Sequence, residues 1–299
     1  MRRLLLMSVA GLALVGSAAV AQLSTTHGGK GVLAAAYTGP GDIVSGASAW
    51  YGLRCYNAAK AGASQAINIR RASDNATQDI GLTASCNLDV ATATTFCNAT
   101  TCFVTEFYDE TGNARHATQA TAAKQPQLIF NCINTTLPCA KFVGASAQSL
   151  TATISTINQP FSISTVEIRT STTTENDVIG NNANTTFGFG GANLVLAWGG
   201  NGGAGITTAA ATDNAWHAVS AVYNGASMKL VPDNNTTSNA SGGSSAFTTP
   251  LNIGVYSGST NPFTGELGEI GVWPSGFSAG NITSICHNQF TYWATSVSC

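Results

Sequence analysis

The stretch CFVTEFYDETGNARHATQ, residues 102–119, concentrates polar chemistry in a chain of which only 9% is charged. Residues 102–108 alternate in the manner of a strand, and the DETGN that follows contains the turn formers Asp109, Gly112 and Asn113. Asp and Asn side chains close such turns by accepting hydrogen bonds from nearby backbone N–H groups. The pattern therefore predicts a structural turn. The alternative is that Asp109 or Asn113 faces a ligand or a structural Ca²⁺, which prefers hard oxygen donors.

A tryptophan ends the alternating segment NLVLAWGG, and a glycine-rich loop follows it. An aromatic ring at such a strand tip can stack on the apolar face of a sugar, so Trp198 and Asn201 are predicted to contact a glycan. A tryptophan shared between two sheets is the alternative. The core interpretation is favoured for Trp216, Trp273 and Trp293, because each lies within a patterned apolar segment.

These residues are carried by short strands. Period-two patterns recur in LNIGVY and GELGEIGVW, and the Asn-Gly pair of VYNGASMKL predicts a hairpin. Helical patterns are sparse: Asp89 is a predicted cap of one short helix and Ser278 of another. Along the second helix, one side is predicted to carry Ile282, Ile285, Gln289 and Trp293. Frequent turns between short strands are typical of an all-β sandwich or jelly roll with a few short helices.

The eight cysteines favour disulfides over a metal site. They occur at positions 55, 86, 97, 102, 132, 139, 286 and 299. An even count without a CxxC motif, in a chain with an export signal, indicates a disulfide framework, although the sequence alone leaves the connectivity open. Short separations favour Cys97–Cys102, Cys132–Cys139 and Cys286–Cys299, which leaves Cys55 with Cys86. No cofactor is predicted.

The N-terminus predicts a secretory signal peptide over residues 1–21, with an arginine pair, a short apolar run and a small-residue cleavage site. Residues 22–44 are interpreted as a loosely held lead-in, and residues 45–299 as a single domain. With a net charge of −2, neither sign dominates, so nothing indicates a nucleic-acid partner or an anionic membrane. No later stretch has the roughly 20 apolar residues that a membrane-spanning helix needs.

The segment FCNATTCFVTEFYDETGNARHATQA, residues 96–120, resembles the catalytic domain of the α-L-arabinofuranosidase B family, glycoside hydrolase family 54. In that family a Phe-Cys pair, a Thr-Thr-Cys five residues on and a Tyr-Asp-x-(Ser/Thr)-Gly-Asn turn recur. Residues 51–81 resemble its N-terminal strand region, and the segments around WHAVSAVYNG and FTGELGEIGVW resemble laminin-G-like or concanavalin-A-like jelly rolls. The resemblance implies a Cys97–Cys102 disulfide and a concanavalin-A-like jelly-roll β-sandwich.

The resemblance also implies where catalytic groups would stand. Retaining glycosidases use a nucleophile and an acid/base carboxyl about 5–5.5 Å apart. At the two aligned positions this chain has Trp198-Gly199 and Tyr256, and neither is an acid. If the protein is an enzyme, the predicted pair is Glu175 and Asp177, in a predicted loop beside the region that lines the family's pocket. The other acids after residue 150 are interpreted as solvated surface groups.

Two functions follow from these patterns. The first is a secreted carbohydrate-active protein that recognises arabinofuranosyl-containing polysaccharide, with hydrolysis as a further activity. If no acid pair is present, the predicted binding face consists of Trp198, Asn201, Tyr256 and the turn with Asp109 and Asn113. The alternative is a non-catalytic, laminin-G-like lectin, adhesive or structural surface module.

Overall fold

The computed structural model describes residues 36–299 apart from 134–135, 172–175, 182–184, 192–193, 200–204, 209–213, 240–242 and 296–298. The strands are β1 Ala49–Gly52, β2 Ile67–Arg71, β3 Thr77–Ile80, β4 Cys102–Phe107, β5 Ala117–Thr118, β6 Gln127–Ile133, β7 Leu137–Phe142, β8 Leu150–Ala152, β9 Phe161–Arg169, β10 Asn176–Gly180, β11 Thr186–Gly191, β12 Leu194–Trp198, β13 Ile206–Thr208, β14 His217–Tyr223, β15 Met228–Pro232, β16 Thr237–Asn239, β17 Leu251–Ile253 and β18 Gly265–Trp273. The α-helices are α1 Pro40–Ile43, α2 Val90–Phe96 and α3 Ala279–Trp293, and short 3₁₀ turns span Ala58–Lys60, Ala122–Lys124, Gly144–Ser146 and Gly225–Ser227.

The strand pairings confirm the all-β jelly roll. One antiparallel run has the order β1-β18-β9-β14-β15-β16. The other, here called the long sheet, has the order β13-β12-β11-β10-β17-β8-β5-β4-β2-β3. Strands β6 and β7 connect the two through β4 and β18. The main hydrophobic core lies between the two runs.

The two longer helices begin where the sequence predicts. Asp89 Oδ1 accepts a hydrogen bond from the backbone N–H of Thr92 at 3.0 Å. Ser278 Oγ accepts one from the backbone N–H of Asn281 at 3.1 Å. The predicted inner side of α3 is buried, and Trp273 and Trp293 are both 0% exposed. The core interpretation of these tryptophans, and of the buried Trp216, is therefore confirmed.

A buried ion pair between Arg54 and Glu269 lies beneath helix α3, on the face of β18 that this helix covers. Nε of Arg54 donates to Oε2 of Glu269 at 2.5 Å, and Nη2 donates to Oε1 at 2.9 Å. From α3, Gln289 Nε2 and Trp293 Nε1 also donate to this carboxylate, at 3.0 Å and 2.7 Å. All four hydrogen bonds converge on one side chain that is 1% exposed. The prediction that Glu269 is a solvated surface acid is therefore wrong, because α3 covers this face of β18.

Four disulfides reinforce the fold. The pairs are Cys55–Cys86, Cys97–Cys102, Cys132–Cys139 and Cys286–Cys299, the set that the short separations favour. Cys132 and Cys139 also lie close to the carboxylate of Glu266, but both sulfurs are committed to their disulfide and cannot bind a metal as thiolates.

The described part of the predicted lead-in is packed on the domain. Gly41 N–H donates to the backbone carbonyl of Tyr56 at 2.7 Å, and Tyr37 Oη donates to that of Cys55 at 2.5 Å. The boundary at residue 45 stays a prediction, and the predicted signal peptide lies outside the described residues. Within those residues, no helix is both long and apolar enough to cross a membrane.

Candidate functional site

A continuous row of paired residues crosses the long sheet. From β3 to β12, successive register partners on neighbouring strands are Asp79, Asn68, Glu106, Thr118, Thr151, Asn252, Gly180, Thr186 and Trp198. We call this set the polar row. Its sequence neighbours, including Ile67, Phe107 and Ile253, belong to the core. Because side chains alternate along a strand, the members of the polar row from Asp79 to Thr186 lie on the outer face of the sheet.

The row differs in exposure from one end to the other. Asp79, Thr118 and Thr151 are exposed, whereas Asn252 and Thr186 are 4% and 1% exposed. Thr151 Oγ1 donates to Oδ1 of Asn252 at 3.2 Å, which joins the open and covered parts. The outer face therefore combines an accessible polar end on β3–β8 with a covered end on β17–β12.

Asp177, one of the two predicted catalytic acids, lies at the covered end. It is 0% exposed, and its Oδ1 accepts a hydrogen bond from Oγ1 of Thr186 in the polar row. Its backbone N–H donates to the carbonyl of Asn261 at 2.9 Å, which joins β10 to the segment that precedes β18. Glu175, the other predicted acid, lies outside the described residues, and so does Asn201. The catalytic assignment stays a prediction.

Tyr256 lies beside the same end of the row. Asn252 Nδ2 donates to the backbone carbonyl of Tyr256 at 3.0 Å, and the turn is closed by Tyr256 N–H donating to the carbonyl of Thr260 at 3.1 Å. Gly180 permits this close approach, since a Cβ there would stand 2.6 Å from Cα of Tyr256. The structure thus brings Asp177, Tyr256 and the strand end at Trp198 to one region of the long sheet.

We expect Gly180→Ala to disturb this region. The added methyl group would overlap backbone rather than a flexible side chain, so β10 and the Tyr256 turn must separate. The free energy of unfolding should fall by about 1–3 kcal/mol in urea titrations.

Gly280→Ala is the matched control for that change. Its Cβ would meet only Ser278 Oγ at 3.8 Å, and alanine favours a helix, so stability should be unchanged or slightly higher. If both variants unfold at the same urea concentration, the close contact at Gly180 does not constrain the sheet.

Asp109 and Asn113 lie in a different place and organise a turn. Asp109 accepts hydrogen bonds from the backbone N–H groups of Trp50 at 3.2 Å, of Thr111 at 3.0 Å and of Arg115 at 3.1 Å. Asn113 Nδ2 donates to the carbonyl of Ser48 at 3.0 Å. These contacts tie the turn to β1, whereas Asp177 and Tyr256 contact β10, β11 and β17. A role of this turn in ligand binding stays a prediction.

A buried polar cluster that sequence reasoning missed lies on the other side of the fold, between the two runs of strands. Glu167 on β9 and His217 on β14 are register partners, and His217 Nδ1 contacts Oδ2 of Asp233. All three are at most 3% exposed. Burial raises the pKa of Glu167 to about 8, and the neighbouring Thr165 and His217 offset this only in part. The surface interpretation of Glu167 and Asp233 is therefore wrong.

Strand β9 is covered on both faces, and this explains that error. Ser162 and Ser164 face α3 and the segment before it, where Ser164 Oγ accepts a hydrogen bond from Gln289 at 3.1 Å. Alternation then turns Thr165, Glu167 and Arg169 towards the core. The alternating positions Phe161 and Ile163, both on the face of Glu167, were the signal that could have located it.

Comparison with known proteins supports the resemblance that the sequence predicts. The model of the family described as "Alpha-L-arabinofuranosidase B, catalytic" matches residues 47–131. No curated protein sequence matches the chain. The resemblance to the catalytic domain of glycoside hydrolase family 54 is therefore confirmed over the region with the Tyr-Asp turn.

Solved structures extend the likeness in fold over most of the chain. A glycoside hydrolase family 54 α-L-arabinofuranosidase variant soaked with 4-nitrophenyl α-L-arabinofuranoside matches with a TM-score of 0.70 at 15% identity, over 87% of this chain and 66% of that one. An arabinofuranosidase in complex with arabinofuranosyl-α-1,2-xylobiose matches with a TM-score of 0.65 at 15% identity, over 84% and 64%. This chain thus spans about two thirds of those proteins. At such identities, the likeness establishes the shared fold.

Proposed function

We propose that this protein is an exported, carbohydrate-active protein that recognises arabinofuranosyl groups of a polysaccharide such as arabinan or arabinoxylan. The family match over residues 47–131 supports the proposal, together with the fold shared with enzymes whose structures contain arabinofuranosyl ligands. Four disulfides are consistent with an oxidising, extracellular location.

The proposed site is the surface beside the covered end of the long sheet, at the half-buried Tyr256, with Trp198 and Asn201 as the further contacts that the sequence predicts. The observation that carries this placement is the register of the polar row, which aligns the end of β12 with Gly180 and the Tyr256 turn. A half-buried tyrosine beside polar groups offers a ring for the sugar's C–H face and donors and acceptors for its hydroxyls.

Recognition is proposed as the principal activity, rather than hydrolysis. The sequence resemblance aligns Trp198-Gly199 and Tyr256 with the family's two carboxylates, and neither position is an acid. Asp177 is buried and hydrogen-bonded to Thr186, so it is not presented to solvent as a nucleophile or acid. Release of arabinose from an aryl α-L-arabinofuranoside, lost in Glu175→Gln, would overturn this choice and establish a hydrolase. Absence of both turnover and glycan affinity would instead favour a structural or adhesive module.

The tyrosine ring is expected to contribute strongly to affinity. Tyr256→Ala should weaken binding of methyl α-L-arabinofuranoside about 10-fold or more, equivalent to about 1.4 kcal/mol, in isothermal titration calorimetry. Tyr256→Phe keeps the ring and should stay within about threefold of the unaltered protein. Equal losses in both variants would show that the phenol hydroxyl acts rather than the ring, and no loss in either would remove Tyr256 from the site.

A further inference from the structure

A pocket that contains none of the predicted site residues lies between the segment before α1 and helix α3. Its volume is about 300 Å³, at the lower end of the range for small-molecule sites, and its lining includes Tyr37, Thr38, Arg54, Asn288 and Tyr292. We call it the Arg54 pocket. Thr38 is exposed, the two tyrosines and Asn288 are half-buried, and Arg54 is 0% exposed. The lining therefore reaches from the protein surface to a buried cation.

The guanidinium of Arg54 has one nitrogen that no hydrogen bond uses. Nε donates to Glu269 at 2.5 Å, and Nη2 donates to Glu269 at 2.9 Å and to Asn288 Oδ1 at 2.8 Å. Nη1 is buried and has no hydrogen-bond partner among the described residues, although buried donors are nearly always paired. The guanidinium contacts Asn288 and lies 4.6 Å from the ring centroid of Tyr292, so it borders the pocket. Nη1 is thus the donor that a ligand would meet.

Both phenols of the pocket and its amide are engaged within the protein. Tyr37 Oη donates to a backbone carbonyl at 2.5 Å, and Tyr292 Oη donates to Asn87 Oδ1 at 2.6 Å. Asn288 Nδ2 donates to the carbonyl of Thr38 at 2.7 Å. A sugar needs several hydrogen-bond partners at once, whereas the pocket offers one buried donor. This favours a ligand with a single acceptor group over a polyol.

The ion pair restricts the charge of the ligand. Arg54 and Glu269 together are neutral, and both are buried. An anion bound to Nη1 would share one guanidinium with the Glu269 carboxylate, and like charges in a common buried environment repel each other. A neutral carbonyl oxygen accepts from Nη1 without this repulsion.

Two aromatic rings determine the shape of the ligand. The rings of Tyr37 and Tyr292 meet edge to face, with 6.4 Å between their centroids. Aromatic rings prefer edge-to-face and offset-stacked contacts, so a third ring can pack against either tyrosine in one of these geometries. Pocket size, donor, charge and rings together match one flat ring that carries one neutral acceptor.

We propose that the Arg54 pocket binds a neutral, single-ring aromatic carbonyl compound, such as an aromatic amide or ester, whose carbonyl oxygen accepts a hydrogen bond from Nη1 of Arg54. Helix α3 packs on β9 and β18, whereas Tyr256 lies beside β10 and β17, so this pocket is separate from the proposed arabinofuranosyl site. The inference does not rest on the proposed function.

The test is a titration of the full chain with benzamide, followed by nuclear magnetic resonance of the isotopically labelled protein. The backbone amide signals of Tyr37, Thr38 and Asn288 should shift and saturate. Benzoate has the same shape with a negative charge and should bind about 10-fold more weakly or worse. Cyclohexanecarboxamide keeps the amide without the aromatic ring and should bind about threefold more weakly or worse.

A variant at the mouth of the pocket avoids the buried ion pair, since removing Arg54 would leave Glu269 buried without a partner. Thr38→Trp places an indole at the exposed mouth and should weaken benzamide binding about 10-fold or more, with an unchanged midpoint in urea. Ser45→Trp is the matched control, because Ser45 is exposed in the same segment before β1 and lies outside the pocket lining. It should keep the Kd of the unaltered protein.

Three results would overturn the proposal. Absence of saturable shifts at the lining residues, or equal benzamide affinity in Thr38→Trp and Ser45→Trp, would refute the pocket as a binding site. Benzoate binding as tightly as benzamide would refute a neutral ligand. Methyl α-L-arabinofuranoside shifting the same signals with higher affinity than benzamide would make this a sugar site and refute the aromatic ligand. None of these results decides whether Tyr256 binds an arabinofuranosyl group.

Discussion

Replacing Glu269 by glutamine is expected to lower the free energy of unfolding by about 3–5 kcal/mol. The guanidinium of Arg54 is 0% exposed and pairs with this carboxylate through two hydrogen bonds. Glutamine keeps the shape of the side chain but removes the negative charge, so Arg54 would stay buried without compensation. The loss should appear in urea titrations at pH 7 as a lower midpoint with an unchanged slope.

Glu266→Gln is the control for that experiment, since Glu266 lies on the same strand but is half-buried, with Lys141 as its charged neighbour. It should cost less than about 1 kcal/mol. The double change Arg54→Met with Glu269→Leu should recover part of the stability, because an apolar pair needs no charge compensation. Equal stability of Glu269→Gln and the unaltered protein would contradict a buried ion pair at this position.

The second large effect is a pH dependence of the free energy of unfolding, and it arises from the titration of Glu167. In the folded protein burial raises the pKa of this carboxyl to about 8, whereas in an unfolded chain it would titrate near about 4.3. Its proton is therefore held more tightly by the folded state. The stability that it contributes is complete below about pH 4, is lost progressively between about pH 4.5 and 8, and does not change further above that range.

Glu167→Gln should remove this dependence, because glutamine is neutral at every pH. Relative to this variant, the unaltered protein should lose several kcal/mol of unfolding free energy between pH 5 and pH 8.5. Asp74→Asn, an exposed change on a surface loop, should keep the pH slope of the unaltered protein. Parallel pH curves for the unaltered protein and Glu167→Gln would contradict a protonated Glu167.

Local signals in the sequence are sufficient to predict several of the helices and hairpins. The caps at Asp89 and Ser278, the inner side of α3 and the hairpin between β14 and β15 each depend on residues within a few positions of one another. The three disulfides with sequence separations of 5 to 13 residues are also predictable from local spacing, since a short loop keeps its two cysteines close in any fold.

The candidate site could not be predicted in the same way, because it is formed by ion pairs and strand pairings between residues that are distant in sequence. Arg54 and Glu269 are 215 residues apart in sequence, and the polar row joins residues as distant as Asp79 and Trp198 through eight strand pairings. Alternation within a strand shows which residues share a face, but it does not show what covers that face. For this reason the sequence predicts Glu167 and Glu269 as surface acids, although the fold buries both.

The most direct test of the central claim, recognition of an arabinofuranosyl group at the Trp198 end of the long sheet, is a pair of calorimetric titrations. Methyl α-L-arabinofuranoside and methyl β-D-xylopyranoside would be titrated into the unaltered protein and into Trp198→Ala. The account predicts saturable binding of the arabinofuranoside alone, with a loss of about 10-fold or more in the variant. Equal affinity for the two sugars, or arabinofuranoside binding that does not change in Trp198→Ala, would contradict it.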